Sequence, residues 1–209
     1  MNASTDAITD AQRIALARLA PLLEPGTYLA GGVADALVLG HRKSLDLDLF
    51  VPREFDEDAL VERLAAKVPD IRVLGRGPGT LHVELGGVPT SILLYRYPTL
   101  SPPAGRADVA VPVASEDDLV CMKLSAIAGR GAAKDFWDLD LLLEHGAAGG
   151  ALAEALRLFA RKYVSEDTGH VVRSLAYFAD ADAAPLPLGL DGTAWAEIKR
   201  RTAGRVRGL

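Results

Sequence analysis

Two aspartates separated by one residue are the part of this sequence best suited to chemistry. Asp46 and Asp48 alternate with Leu45, Leu47 and Leu49 in the stretch SLDLDLF. In a β-strand successive side chains point to opposite faces, so this spacing predicts three buried leucines and two carboxylates side by side on the other face. Adjacent carboxylates repel each other unless a cation holds them, and such oxygen ligands favour Mg²⁺ or Mn²⁺. The pattern therefore predicts a divalent-metal site.

A Gly-Gly pair upstream of the aspartates adds a candidate phosphate site. Gly31 and Gly32 precede a short predicted helix. Glycines allow close backbone approach, and the free N–H groups of a helix N-terminus favour anions. Ser44, two positions before Asp46, is expected on the same strand face and adds a hydroxyl donor. A triphosphate and Mg²⁺ belong together, because the cation bridges phosphate oxygens while the carboxylates hold the cation.

The elements predicted around these residues form a mixed sheet with helices. Amphipathic periodicity, strand alternation and turn residues define them. In chain order they are a helix at 8–23, a strand at 27–30, a helix at 34–39, the aspartate strand, a helix at 56–68, a strand at 71–74, and a hairpin of strands 81–85 and 88–95. Residues 99–115 are rich in Pro, Gly and Ala and are interpreted as a connection.

The remainder of the chain is predicted to be helical. The stretch from Ser115 to Asp118 has capping-box spacing and opens the first of these helices. The others are expected to end at His145 and to cover residues 150–163, 167–178 and 194–201. The predicted fold class is therefore α/β (α+β). Its mixed-sheet core would occupy residues 1–105, and a mostly helical region, residues 106–209, would close a nucleotide cleft.

Composition and charge narrow the class of protein. With 49% hydrophobic and 24% charged residues, the 209-residue chain has the make-up of a globular protein and not of a disordered one. A single cysteine, Cys121, and an N-terminus without a long apolar run predict a cytoplasmic protein with no membrane segment. The net charge of −5 argues against a protein that coats nucleic acid nonspecifically. The basic C-terminal stretch KRRTAGRVRGL is interpreted as a solvated helix end, with a local basic patch as the alternative.

The order Gly-Gly, helix, Ser-x-Asp-x-Asp resembles the opening motif of polymerase-beta-type nucleotidyltransferases. Three further stretches, DLVCMKLSAIAGRGAAKDFWDLDLLL, GVPTSILLYRYP and SLAYFADADAAPLPLGLDGTAWAEIKRR, are similar to the AbiEii/AbiGii toxin family of nucleotidyltransferases. The likeness runs from about Tyr28 to the C-terminus. It implies a metal-dependent enzyme that transfers a nucleoside monophosphate from an NTP to a hydroxyl, with tRNA or other RNA as acceptor. It also implies a toxin with an antitoxin partner.

The resemblance implies a role for each matching residue. The metal carboxylates are Asp46 and Asp48, and Lys123 matches a lysine that faces the triphosphate. Arg130 lies on the same stretch and is interpreted as a further counter-charge to the triphosphate. The predicted catalytic residues are Asp46, Asp48, Lys123 and Asp135, and the predicted NTP-binding residues are Gly31, Gly32, Ser44, Lys123, Arg130 and Lys134.

A third carboxylate, usual on a neighbouring strand of polymerase-beta-type enzymes, is replaced here by Ser91. A two-residue turn at Gly86-Gly87 would pair His82 with Ser91 and Glu84 with Pro89. Opposed residues share a face, so His82, Glu84 and Ser91 are expected together on the polar side of the hairpin. Glu84 is the candidate metal-side ligand and His82 the candidate base.

Other functions stay open at this point. A nucleotidyltransferase acting on a small molecule such as an aminoglycoside is consistent with the acidic net charge. A catalytically degenerate nucleotide-binding module is consistent with the missing third acid. A glycosyltransferase with an Asp-x-Asp motif fits the metal site but not the Gly-Gly, Ser and Lys set. His41, Arg42 and Lys43 form a basic turn that is interpreted as exposed, with acceptor binding as the alternative.

Overall fold

The computed structural model describes residues 7–165 and 167–209, and these fall into two compact units. The units are divided in sequence between Ser115 and Glu116. The first carries a seven-stranded sheet with helices, and the second is helical. Among the helices in the described ranges, none combines the length and the apolar character needed to span a bilayer.

The first unit alternates helices and strands before it ends in paired strands. A 3-10 turn at Ala20–Leu22 follows its first helix. In chain order its elements are α1 (Asp10–Leu19), β1 (Tyr28–Ala30), α2 (Gly31–Leu39), β2 (Leu47–Val51), α3 (Glu57–Lys67), β3 (Ile71–Gly77), β4 (Thr80–Leu85), β5 (Val88–Leu94), β6 (Ala104–Arg106) and β7 (Val109–Val113).

The sheet is mixed, as the sequence predicted. Its strand order is β3-β4-β5-β2-β1-β7-β6, in which β2 with β5 and β1 with β7 are parallel and the other neighbours are antiparallel. Helix α1 contacts β7 and β5, and α2 contacts β1 and β2. Side chains that are fully buried in this core include Leu29, Leu47, Leu49, Leu81 and Val83.

The interpretation of residues 99–115 as a connection is wrong, because β6 and β7 form within them. Val109, Val111 and Val113 alternate with exposed residues, and Val113 pairs with Leu29 of β1. Pro112 of β7 is exposed. The neighbours of β7 are β1 and the short edge strand β6, and the missing N–H of proline is tolerated beside such an edge. The composition therefore concealed a strand that the long-range pairing with β1 stabilises.

The aspartate strand is shorter than predicted. It begins at Leu47, and Leu45 is 76% exposed and not buried as expected. The ladder between β1 and β2 reaches Ala30 opposite Asp48, and the chain then turns into α2. Residues before Leu47 consequently have no β1 backbone to pair with. Asp48 thus lies in the strand, whereas Asp46 precedes it.

The hairpin of β4 and β5 has the predicted register. Leu85 pairs with Val88, Glu84 with Pro89, and His82 with Ser91. A two-residue Gly86-Gly87 turn fixes this pairing, because both glycines take positive φ angles, 59° and 78°.

The second unit is made of helices, as the sequence predicted. They are α4 (Glu116–Gly129), α5 (Ala133–His145), α6 (Leu152–Tyr163), α7 (Gly169–Leu175), α8 (Ala179–Ala183) and α9 (Gly192–Arg207), with a 3-10 turn at Ala147–Gly150. The single helix predicted at 167–178 is the shorter α7, followed by a separate α8. The last helix extends beyond the predicted 194–201 at both ends. Phe136, Phe178 and Trp195 pack ring against ring in the core of this unit.

Candidate active site

The first glycine of the Gly-Gly pair lies against the strand carboxylate. Gly31 directly follows β1 and starts α2 with a φ of 68°, which disfavours residues with a side chain. A Cβ on Gly31 would lie 3.1 Å from Asp48 Cβ and Cγ and would overlap its Oδ2. Glycine is thus required here for two reasons, and the Asp48 carboxylate lies beside the N-terminus of α2.

The second glycine makes room for a hydroxyl and a guanidinium. A Cβ on Gly32 would lie 2.5 Å from Ser44 Oγ and 3.0 Å from Arg42 Nη2. The Ser44 hydroxyl therefore occupies the space that a side chain of residue 32 would take. Arg42 is half-buried beside it, in contrast to the exposed basic turn that the sequence suggested. A hydroxyl, a cation and a helix N-terminus converge at this point, which is the chemistry of an anion site.

A glutamine that the sequence analysis missed holds the segment carrying Ser44. Gln12 of α1 is 3% exposed, and its Nε2 donates hydrogen bonds to the carbonyls of Ser44 (2.8 Å) and Leu45 (3.1 Å). Its Oε1 accepts from the backbone N–H of Thr9 (2.9 Å) in a capping box. The T-x-x-Q spacing signals the cap but not the contact with residues 44 and 45. That contact depends on tertiary packing.

A row of paired residues crosses the sheet at Asp48. Asp48 lies opposite Ala30 of β1 on one side and beside Ser91 of β5 on the other. Ser91 in turn pairs with His82 of β4, and His82 Nδ1 lies 3.1 Å from Ser91 Oγ. Partners in register share a sheet face, so Asp48, Ser91 and His82 lie on one face. The sheet thus brings together three of the residues that the sequence selected.

Glu84 is on the same hairpin face but has another partner. Both of its carboxylate oxygens accept from Arg72 Nη2 of β3, each at 2.9 Å. Glu84 lies two residues along β4 from His82, which belongs to the row that contains Asp48. The carboxylate of Glu84 is therefore occupied by a guanidinium in this structure.

The acidic residues fit a cation that is shared with a substrate. Asp48 is half-buried beside Gly31, and Asp46 is exposed two residues earlier. Within the part of the chain that the structure describes, no group of three or more His, Cys, Asp or Glu side chains forms a complete metal cluster. Mg²⁺ commonly takes one or two protein carboxylates and completes its coordination with phosphate oxygens and water. The donor set of Asp46 and Asp48 matches that mode of binding.

The candidates of the helical unit form a buried ion cluster. Lys123 of α4 is 6% exposed, and its Nζ lies 2.7 Å from Asp138 Oδ2 and 3.6 Å from Asp135 Oδ1. Asp135 also accepts two hydrogen bonds from Arg130, at 2.8 and 2.9 Å. Lys134 is exposed while its neighbour Asp135 is fully buried, so the two side chains lie on different sides of α5. The structure thus joins Lys123, Arg130 and Asp135, and leaves Lys134 apart from them.

The basic C-terminal helix is largely neutralised by acidic side chains of its own unit. Its ion pairs join Lys199 to Asp182, Arg200 to Glu197, Arg201 to Asp140, Glu144 and Glu197, and Arg205 to Asp140. Hydrogen bonds to the buried Asp140 raise the pKa of Arg201, and a hydrogen bond from Lys199 lowers the pKa of Asp182. These pairs reduce the field that a nucleic-acid patch on this helix would need.

The class of protein follows from the fold and the site together. The mixed sheet, with a strand carboxylate beside a Gly-Gly helix start, agrees with the nucleotidyltransferase fold that the sequence predicted. Residues 14–203 match the family described as "Nucleotidyl transferase AbiEii toxin, Type IV TA system". The chain belongs to this AbiEii nucleotidyltransferase toxin family.

The chain is also similar to one further protein sequence and to two solved structures. An uncharacterized protein of Aquifex aeolicus (strain VF5) is 40% identical over 156 residues, which is 74% of each chain. The nucleotidyltransferase toxin MenT4 of Mycobacterium tuberculosis H37Rv has a TM-score of 0.62 at 19% identity, covering 95% of this chain and 82% of its own. A putative nucleotidyltransferase from H. pylori has a TM-score of 0.52 at 19% identity, covering 93% and 91%. These two structural likenesses concern the fold.

Proposed function

We propose that this nucleotidyltransferase moves a nucleoside monophosphate from an NTP to a hydroxyl of RNA, with tRNA as the foremost candidate, and so acts as the toxin of a toxin–antitoxin pair. The acceptor oxygen forms a bond to the α-phosphorus, and the bond between that phosphorus and the bridging oxygen to the β-phosphate breaks. Pyrophosphate leaves. The proposed setting is the cytoplasm, and an antitoxin is the proposed protein partner.

The observation that carries the proposal is the packing of the Gly-Gly pair. Gly31 lies against the Asp48 carboxylate, and Gly32 lies against Ser44 and Arg42. A phosphate chain at the N-terminus of α2 would find N–H donors, a hydroxyl and a guanidinium, next to a carboxylate suited to a cation. A carboxylate against a site for phosphate is unfavourable unless a cation lies between them. This combination favours a metal–triphosphate substrate over a simple anion.

Asp46 and Asp48 are the residues proposed to hold Mg²⁺ (or Mn²⁺). When bound, the cation supplies positive charge to the transferring and leaving phosphate oxygens. Asp48 is fixed by its strand and by Gly31. Asp46 is exposed just before the strand, so its approach to the cation stays a prediction.

Lys123, Arg130, Lys134 and Asp135 keep their proposed roles on the basis of the resemblance. Of these residues, Arg130 has a side chain that is 60% exposed while it contacts Asp135, and it is accessible to a triphosphate. Lys123 is mostly enclosed by two carboxylates, which would hold its ammonium in one position. The division of function between residues 1–105 and 106–209 also stays a prediction.

A transfer assay tests the proposal. The protein would be incubated with each α-labelled NTP, Mg²⁺, and either total tRNA, protein extract or aminoglycosides. We expect label in RNA, with one NTP preferred. Asp48→Asn and Asp46→Asn should reduce transfer by at least about 10²-fold with the fold intact, because asparagine keeps the size of the side chain but loses the charge that would hold the cation.

Asp56→Asn is the matched control. Asp56 caps α3 through a hydrogen bond from the Ala59 N–H, and asparagine caps helices about as well. Its transfer rate should equal that of the wild type. Label in aminoglycosides instead of RNA would identify a small-molecule enzyme. No label in any acceptor, with retained NTP binding, would identify a nucleotide-binding module.

A further inference from the structure

The reaction needs a group that takes the proton of the acceptor hydroxyl, and the row across the sheet contains a candidate. Ser91 lies beside Asp48, the position at which the related superfamily usually has its third carboxylate. A serine hydroxyl is too weak a base to take this proton alone at neutral pH. Its other neighbour in the row is His82, whose Nδ1 is 3.1 Å from Ser91 Oγ.

The two other candidates on this face are less suited. Glu84 already accepts two hydrogen bonds from Arg72 and lies two residues further along β4 than His82. Asp48 is the proposed metal ligand, and a carboxylate bound to a cation is a poor base. By register, the charged residues on the same sheet face near His82 are Glu84 on its own strand, Arg72 on β3 and Asp48 two strands away. The residue directly opposite His82 on β3 is Gly75.

We propose that His82 and Ser91 together replace the third carboxylate as a proton relay. This proposal rests on the proposed nucleotidyl transfer. As the acceptor oxygen bonds to the α-phosphorus and pyrophosphate departs, the acceptor hydroxyl gives its proton to Ser91 Oγ. Ser91 gives its own proton to His82 Nδ1, and the exposed imidazole releases it to water. His82 is a positioning residue that acts through Ser91, and the neutral imidazole must carry its proton on Nε2.

A substitution in two backgrounds tests the relay. In the wild type, His82→Gln should lower kcat about 10²-fold with little change in the KM for NTP, because acid–base groups typically contribute 10²–10⁴-fold. In the Ser91→Asp background the carboxylate takes the proton directly, so His82→Gln should change kcat less than about twofold. Imidazole in the buffer should restore part of the kcat of His82→Ala.

His145→Gln is the matched control, since His145 is an exposed histidine of α5 that pairs with Glu116. It should leave kcat unchanged. Equal losses for His82→Gln in both backgrounds would make His82 merely structural and overturn the proposal. A loss with Glu84→Gln but none with His82→Gln would assign the role to Glu84.

A second measurement does not depend on activity. Nitrogen-15 chemical shifts of the neutral His82 ring should show the proton on Nε2, and Ser91→Ala should shift the Nδ1 resonance more than that of Nε2. A proton on Nδ1 would refute the relay, because Ser91 would then be the acceptor. If the wild type transferred no nucleotide while this tautomer was observed, the proposed reaction would fail and the hydrogen bond would stand.

Discussion

At the scale of single residues, Gly32 makes the sharpest prediction. A side chain there would collide with the Ser44 hydroxyl, 2.5 Å away, and with Arg42. We expect Gly32→Ala to displace both groups and to lower kcat/KM for NTP about 10- to 100-fold, the loss of one or two charge-assisted contacts. Gly32→Ser combined with Ser44→Gly should recover part of this, because residue 32 then provides the hydroxyl.

Gly105→Ala is the control for this series. Gly105 lies in β6 with an ordinary φ, and a Cβ added to it would have no atom within 4 Å. Its kinetics should match the wild type. Unchanged NTP handling in a folded Gly32→Ala variant would contradict the assignment of Ser44 and Arg42 to the phosphate site.

Lys123 makes a second prediction at this scale, one of stability. Its ammonium neutralises Asp138 and contacts Asp135, and both carboxylates are fully buried. Removing one partner of a buried ion pair leaves an uncompensated charge and typically costs about 3–5 kcal/mol. Lys123→Met should therefore lower the free energy of unfolding by about that amount in urea titrations.

The exposed Lys134 is the matched control for Lys123. Lys134→Met should change the free energy of unfolding by less than about 0.5 kcal/mol. Equal stabilities for the two variants would mean that the buried ion cluster does not hold the helical unit together. Because Lys123 variants are expected to be less stable, their transfer rates should be measured in single-turnover experiments and corrected for the fraction of protein that is folded.

At the scale of elements, helix α1 positions the segment that carries Ser44. Gln12→Glu keeps the oxygen that accepts a hydrogen bond from Thr9. It replaces the amide donor with a carboxylate oxygen, which faces the carbonyl oxygens of Ser44 and Leu45 and cannot donate to them. These part-buried carbonyls would lose their donor, so we expect a free energy of unfolding lower by up to about 1–3 kcal/mol for each of them, and a higher KM for NTP. Thr9→Ala removes the cap and leaves the Gln12 donors in place. Thr9→Ala should lower the free energy of unfolding by about 1 kcal/mol and leave the KM for NTP unchanged. If Thr9→Ala and Gln12→Glu changed this KM equally, α1 would act on the site only through stability.

The sequence predicted elements best where local chemistry determines them. The Gly86-Gly87 turn fixed the hairpin register, and the capping residue Asp56 marked the start of α3. Long-range pairing was harder to predict from the sequence. Strand β7 forms because Val113 pairs with Leu29 of β1, although the Pro and Gly content of its segment suggested a connection. The alternation in SLDLDLF likewise could not reveal that the ladder to β1 stops at Asp48.

The candidate site shows the same limit. Motif order and resemblance selected Gly31, Asp48 and Ser91, which the sheet then brought together. The contacts made by Gln12, and the buried pair of Lys162 with Asp118, at 2.7 Å, were not recognised. Their partners are separated by 32 and 44 residues, and no local pattern encodes such a contact.

At the scale of the whole molecule, the single thiol provides a reporter of opening. Cys121 of α4 is fully buried, and burial raises its pKa from 9.0 to about 12. At pH 8 this lowers the thiolate fraction about 10³-fold, and the closed core blocks reagents as well. We expect a thiol reagent to label Cys121 only when the protein unfolds. The labelling rate should rise with the urea concentration and with pH up to about 12.

Leu188 offers the control for that experiment. It is 96% exposed, so Leu188→Cys in a Cys121→Val background should react at the rate of a free thiol. Rapid labelling of Cys121 in the native protein would show that α4 opens locally, without unfolding of residues 116–209.

The row across the sheet joins strands that are made at different times during synthesis. The ribosome releases Ala30 and Asp48 early, but Ser91 and His82 enter the row through a hairpin that follows much later in the chain. Parallel pairing of β2 with β5 closes a long loop and is slow, so a nascent chain carries the Gly-Gly start and the aspartates before the row exists. A translation product that stops before β5 would be inert. The row that contains the proposed relay therefore cannot assemble before β5 has been synthesised and has paired with β2.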